Sequence, residues 1–131
     1  MKPMKSIRFL LTAVALFLVM TGCNKEEPMP VSAEFTTDIQ NNTLGTGERF
    51  TVYTDQVEGE FLAYFKGDKE SNTWDTGYGT TFSMGTDSLI ISPYGVEGTY
   101  TFTVVATSYG NWGETVNRDV ESMEITVVAE E

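Results

Sequence analysis

Apolar and polar residues alternate along "GTYTFTVVATSYG", residues 98–110, so that Tyr100, Phe102, Val104 and Ala106 share one side and the threonines the other. Period-two alternation of this kind predicts a half-buried antiparallel strand facing inward through its aromatic and aliphatic residues. The same pattern groups Phe50 with Val52 in 49–54, and Met123 with Ile125 and Val127 in 120–129. Residues 60–67 differ, with Phe61, Ala63 and Phe65 on one side and Leu62 and Tyr64 on the other. Apolar residues on both sides predict a central strand, or one whose outer face is covered. Shorter strands are expected at 32–38, 80–84 and 88–93, with 41–48 and 67–74 as turn-rich connections. No long amphipathic helical period occurs beyond residue 30, and the segments are rich in Thr, Val, Phe and Tyr between Gly, Asn and Asp. About seven short strands in roughly 100 residues predict an all-β protein, a single antiparallel β-sandwich.

The first 22 residues follow another pattern. Lys2, Lys5 and Arg8 precede the apolar run Phe9–Met20, which ends on the small residues Thr21 and Gly22. This is the grammar of a secretory signal peptide, and the run is well short of the roughly 20 apolar residues that span a bilayer. Thr21-Gly22-Cys23 resembles a bacterial lipobox, with Met20 in place of the commoner leucine. The resemblance implies cleavage before Cys23 and lipidation of its thiol, giving a membrane tether of two or three acyl chains; two suffice for stable anchoring. As the one cysteine of the chain, Cys23 has no internal disulfide partner. Lys25-Glu26-Glu27 resembles the export tract of Bacteroidota surface lipoproteins, which implies display on the outer face of the outer membrane. Residues 23–30 then form a lipidated cysteine and linker, extended at Pro28 and Pro30, and 31–131 form the folded domain.

Within that domain, "EGTYTFTVVATSYGNWGETVNRDVESMEITVV" resembles the end of a PKD-like, immunoglobulin-type module, and "GERFTVYTD" resembles its early strand. "EFLAYFKGDKESNTW" departs from the usual Trp-x-Phe-Gly-Asp-Gly centre and is closer to an aromatic-rich variant found near the N-terminus of Bacteroidota surface lipoproteins. The resemblance covers about residues 31–129 and implies an immunoglobulin/PKD-like sandwich. It carries no specific activity, because such folds host many functions.

Charge narrows the partners. The first 22 residues hold three of the eight basic residues and none of the 19 acidic ones, so the remaining 109 residues carry five against 19, a net −14. Nucleic acid is excluded as a partner, since phosphate binding requires clustered Lys and Arg. Histidine is absent, which removes the usual general base and the usual zinc ligand. Neither a phosphate-binding glycine loop nor a nucleophile elbow occurs. Asp68, Glu70, Asp75 and Asp87 do not follow calcium-loop spacing and read as a solvated acidic surface. The expectation is a non-catalytic protein without metal or cofactor.

The candidate contacts are aromatic. Tyr109, Asn111 and Trp112 lie in "SYGNWGE", a hairpin connection where an exposed ring can stack on a sugar face; alternatively Trp112 folds back as a plug over the sandwich edge. Trp74, Tyr78 and Tyr94, each near a glycine, form a second set expected at one end of the sandwich. Two functions follow. A glycan-binding accessory protein requires a contiguous exposed aromatic patch holding Trp112 with Trp74 or Tyr78. A structural or protein-interaction subunit of a surface complex requires buried tryptophans and an exposed sheet edge or flat patch.

Overall fold

A computed structural model describes residues 27–130. The expected signal peptide and the expected lipidation site Cys23 lie outside the described residues. Two sheets enclose one core. Thr36–Thr37 (β1), Phe50–Tyr53 (β3) and Ser88–Ile91 (β6) form the smaller, in the order β1-β3-β6. Thr43–Gly45 (β2), Phe61–Phe65 (β4), Thr80–Phe82 (β5), Gly98–Gly110 (β7) and Thr115–Val128 (β8) form the larger, in the order β2-β8-β7-β4-β5. The all-β sandwich expected from the alternation is therefore present.

Four expectations need correction. The larger sheet is mixed, because β2 runs parallel to β8 with Leu44 opposite Val127. Residues 41–48 thus contain a strand, which its turn residues conceal: Asn41 and Asn42 both adopt positive φ immediately before it. At the other margin, β8 begins at Thr115 rather than 120, since Thr115–Asp119 pairs residue for residue with Ala106–Gly110. Finally, the expected strand at 32–38 shrinks to β1 and a single bridge between Ser32 and Glu58.

Phe102 is the centre of the core. It is fully buried, and its ring meets Phe50 across the sandwich at 5.5 Å edge-on, Phe35 at 5.6 Å edge-on and Tyr64 at 5.7 Å in a stacked arrangement. Val52, Ile91, Leu62, Val104, Ile125 and Val127 complete the apolar contact between the sheets. Tyr94, expected in an exposed aromatic set, is instead buried: it stacks on Tyr100 at 4.5 Å and donates its hydroxyl to the Lys66 carbonyl at 2.7 Å. Burial raises its phenol pKa well above the ordinary value, and the nearby Asp68 carboxylate adds to the shift.

Between β4 and β5 the chain makes an excursion over residues 67–79 that includes a short 3-10 turn, Glu70–Asn72. It is held by its own polar groups: Gly67 N–H donates to the Asn72 carbonyl at 3.1 Å, Lys69 N–H to Asn72 Oδ1 at 2.9 Å, and Tyr78 N–H to the Ser71 carbonyl at 2.7 Å. Two glycines set its path. Gly67 has φ +79, and a Cβ there would lie 2.2 Å from the Thr101 carbonyl oxygen. At Gly79 a Cβ would lie 2.8 Å from the Phe65 ring. The excursion therefore returns tight against the outward side of β4 at Ala63 and Phe65, covering that part of the strand and leaving Phe61 exposed.

Candidate functional site

The site is the outer face of the five-stranded sheet. Register decides which side chains share it: Phe61, Ala63 and Phe65 of β4 stand opposite Thr107, Val105 and Thr103 of β7. On β8, Val116, Arg118, Val120 and Ser122 stand opposite Tyr109, Thr107, Val105 and Thr103. Paired residues of an antiparallel ladder point to the same face. Since Phe102, Val104 and Ala106 point into the core, the outward face belongs to the alternate residues.

This face is apolar and only partly covered. Trp74 of the excursion packs edge-on against Phe65 at 5.2 Å, leaving Phe65, Thr103, Val105 and Thr107 buried beneath the covered part. The outward threonines of β7 are thus not all solvated, contrary to the expectation from alternation alone. Beyond the cover the face opens. Phe61 is 60% exposed and meets Tyr109, 42% exposed, edge-on at 5.5 Å. Val116 and Val120 are exposed alongside. A cleft of about 180 Å³ runs between the covered and open parts, with Phe61, Phe65, Trp74, Val105, Thr107 and Arg118 among its lining residues.

Arg118 is the one charged residue among the outward positions Val116–Ser122. Its guanidinium carbon lies 6.0 Å from the Trp74 ring centroid, and its Nε donates to the Thr107 hydroxyl at 3.3 Å. Among the described residues the only ion pair joins Lys66 to Asp68 at 3.5 Å, so no carboxylate neutralises Arg118.

The predicted residues separate into three places. Trp74 and Tyr109 belong to the outer face, linked through Phe65 and Phe61. Asn111 and Trp112 form the β7–β8 turn with Gly113, and all three have positive φ. Trp112 is 98% exposed, so it is no plug over the sandwich edge. Asn111 is half-buried, and its carbonyl accepts the Glu114 N–H at 3.2 Å. Tyr78, in the excursion, is 88% exposed. Among the described residues no ring contact joins Trp112 or Tyr78 to the face, so the contiguous patch centres on Phe61 and Tyr109 rather than on the tip.

The acidic residues have other roles. Asp119 accepts the Ala33 N–H at 2.8 Å and ties the start of the domain to β8. Burial alone would raise the Asp68 pKa, but the Asn72 amide and the Lys66 ammonium more than reverse this and hold it below the ordinary carboxylate value. Among the described residues no three acidic groups converge as ion ligands.

Sequence reasoning passed over Phe61 and Arg118 as site residues. The signals were present: Phe61 belongs to the strand that is apolar on both sides, and Arg118 is the one basic residue after Lys69. No protein-family model matches the chain, and no curated protein matches it. What the face can do follows from its own chemistry: flat apolar rings, threonine hydroxyls and one guanidinium.

Proposed function

We propose that the chain is a lipid-anchored, non-catalytic binding module of the outer membrane, displayed outward, that takes up polysaccharide on the outer face of its five-stranded sheet. The anchor and address rest on the lipobox-like Thr21-Gly22-Cys23 and the Lys25-Glu26-Glu27 tract that follows. An immunoglobulin/PKD-like ancestry is supported by the strand order, with β2 of the larger sheet joined to the last strand. It is also supported by the Tyr100 hydroxyl, which donates to the Val96 carbonyl at 2.6 Å two residues before Phe102, in the manner of a tyrosine corner.

The observation that carries the functional reading is the exposed Phe61–Tyr109 pair beside the Trp74 cleft. Rings held on strands present flat apolar surface without ordering cost, which suits the apolar face of a pyranose. A protein-interaction role has support of its own, because Ile90 and Tyr53 are exposed on the smaller sheet, whose strand β6 has a free edge.

The test is a polysaccharide array probed with the full chain in mild detergent, alongside Phe61→Ala. Covering about 50 Å² of ring face at about 25 cal/mol per Å² is worth roughly 1.3 kcal/mol, so Phe61→Ala is expected to weaken binding about tenfold. Absence of binding to every neutral and acidic polysaccharide sinks the reading and favours a protein partner.

A further inference from the structure

The outer face combines two features that together specify more than a generic sugar. One is the wall of rings at Phe61, Phe65 and Trp74. The other is Arg118, a cation with no ion-paired carboxylate among the described residues, in a strongly acidic domain. Resting on the polysaccharide reading above, we propose that the cleft binds a uronic-acid residue of an acidic polysaccharide, its ring against the aromatic wall and its carboxylate on the Arg118 guanidinium.

Arg118 is prepared for this. The Thr107 hydroxyl occupies its Nε, and Trp74 lies beside the guanidinium, so two contacts orient the fork before a ligand arrives. A guanidinium presents five donors, and planar bidentate pairing with a carboxylate is its strongest recognition mode. The outward positions from Val116 to Ser122 contain no carboxylate, although the chain has 19 acidic residues. An anionic ligand therefore meets its counter-charge at contact distance. Charges elsewhere on the domain are screened beyond about 8 Å at physiological salt.

A peptide with a free carboxyl terminus shares the charge but fits less well. The backbone groups of β4 and β7 are engaged in ladders with their neighbours. A peptide laid over the rings of the cleft would find no backbone partners there, whereas strand addition, the usual mode of peptide capture, would place it along the edge of β8, where Thr115–Ile125 pairs with β7 alone. Sugar hydroxyls directed away from the rings remain in water, and those beside Thr107 have a hydroxyl partner.

The experiment is calorimetric titration of the full chain, in mild detergent, with oligogalacturonate, oligoalginate and oligoglucuronate, and with the same oligomers after their carboxyls are reduced to alcohols. Arg118→Gln and an acidic peptide with a free C-terminus complete the set. At least one uronate is expected to bind. Carboxyl reduction and Arg118→Gln should each weaken it about 10- to 100-fold, and reduction should have no further effect in the variant. Circular dichroism of Arg118→Gln checks that it folds, and Arg118→Lys, which keeps the charge without the fork, should recover part of the loss. Equal binding of native and reduced oligomers, or an unchanged Arg118→Gln, overturns the uronate proposal while leaving polysaccharide binding standing. Binding of the peptide alone overturns it as well. No binding to any oligomer, native or reduced, overturns the uronate proposal, and the polysaccharide reading falls with it when the array is blank as well.

Discussion

Trp112 stands at the tip of the β7–β8 hairpin with φ 58 and ψ 32, a left-handed conformation that bulky residues rarely adopt. For an L-residue other than glycine this costs about 1–2 kcal/mol. The side chain recovers little of that, because it is 98% exposed. Trp112→Gly removes the strain and adds back about 0.5–1 kcal/mol of unfolded-state entropy. The balance is a stabilisation of about 0.5–1 kcal/mol, or about 2–8 °C in Tm for a domain of this size. Trp112→Ala is the informative control: it keeps the Cβ and hence the strain, and loses only a ring that touches little, so it should stay within about 0.5 kcal/mol of the parent. Urea unfolding followed by circular dichroism reads both, with an unchanged slope showing that the unfolded state is not altered. A loss of more than about 1 kcal/mol in Trp112→Ala would mean that the indole packs on the protein. Gly no more stable than Ala would mean that the turn is not strained. Either result refutes the reasoning.

Two further predictions concern the scaffold. Phe102→Ala empties the point where three aromatic rings converge and should cost about 3–5 kcal/mol, a large share of a small domain's total, with a urea-measured loss below about 2 kcal/mol showing that the rings close the cavity. Asp68 has a lowered pKa in the fold, so its ionised form contributes stability above the unfolded value near 4, and that contribution is lost as pH falls through the folded value; Asp68→Asn should therefore lower Tm by less and less as pH is taken from 7 downward through the acid range, and a pH-independent difference would refute the assignment.

How much of this was legible in the chain depended on which residues carried the signal. The inward sets of β3, β7 and β8 were readable because burial on one face imposes period two on the side chains. β2 was not, because its pairing is parallel and remote: Leu44 is buried through β8, more than eighty residues away, while its neighbours Asn42 and Gly45 read as turn. The start of β8 is not legible because "TVNRD" is mostly polar. That stretch lies alongside the tip half of β7, where pairing with β7 rather than apolar burial keeps it extended. Residue type singles out the aromatic residues as candidates but not their exposure: Tyr94 is buried in the core, Trp112 is exposed to solvent, and Trp74 packs over Phe65.

The two sides of β4 show how one strand serves fold and site together. Leu62 and Tyr64 face the core, where Tyr64 stacks on Phe102. Phe61 and Phe65 face outward and meet different fates. Phe65 is covered by Trp74, which needs the Gly67–Gly79 excursion to reach it, whereas Phe61 lies outside that cover. A fully covered strand would be the more stable solution, since an exposed phenylalanine forgoes up to about 1.5–3 kcal/mol of burial. Stability alone therefore does not account for the open half of the face. An exposed Phe61–Tyr109 pair, a guanidinium with no ion-paired carboxylate among the described residues and an uncovered indole on a strained turn each forgo stabilisation that the rest of the domain secures. Phe61, Tyr109 and Arg118 lie on one face of the larger sheet, and the turn carrying Trp112 lies at the end of that sheet where β7 and β8 meet. The gathering of Phe61, Tyr109 and Arg118 on one face supports the proposed binding surface over a spacer.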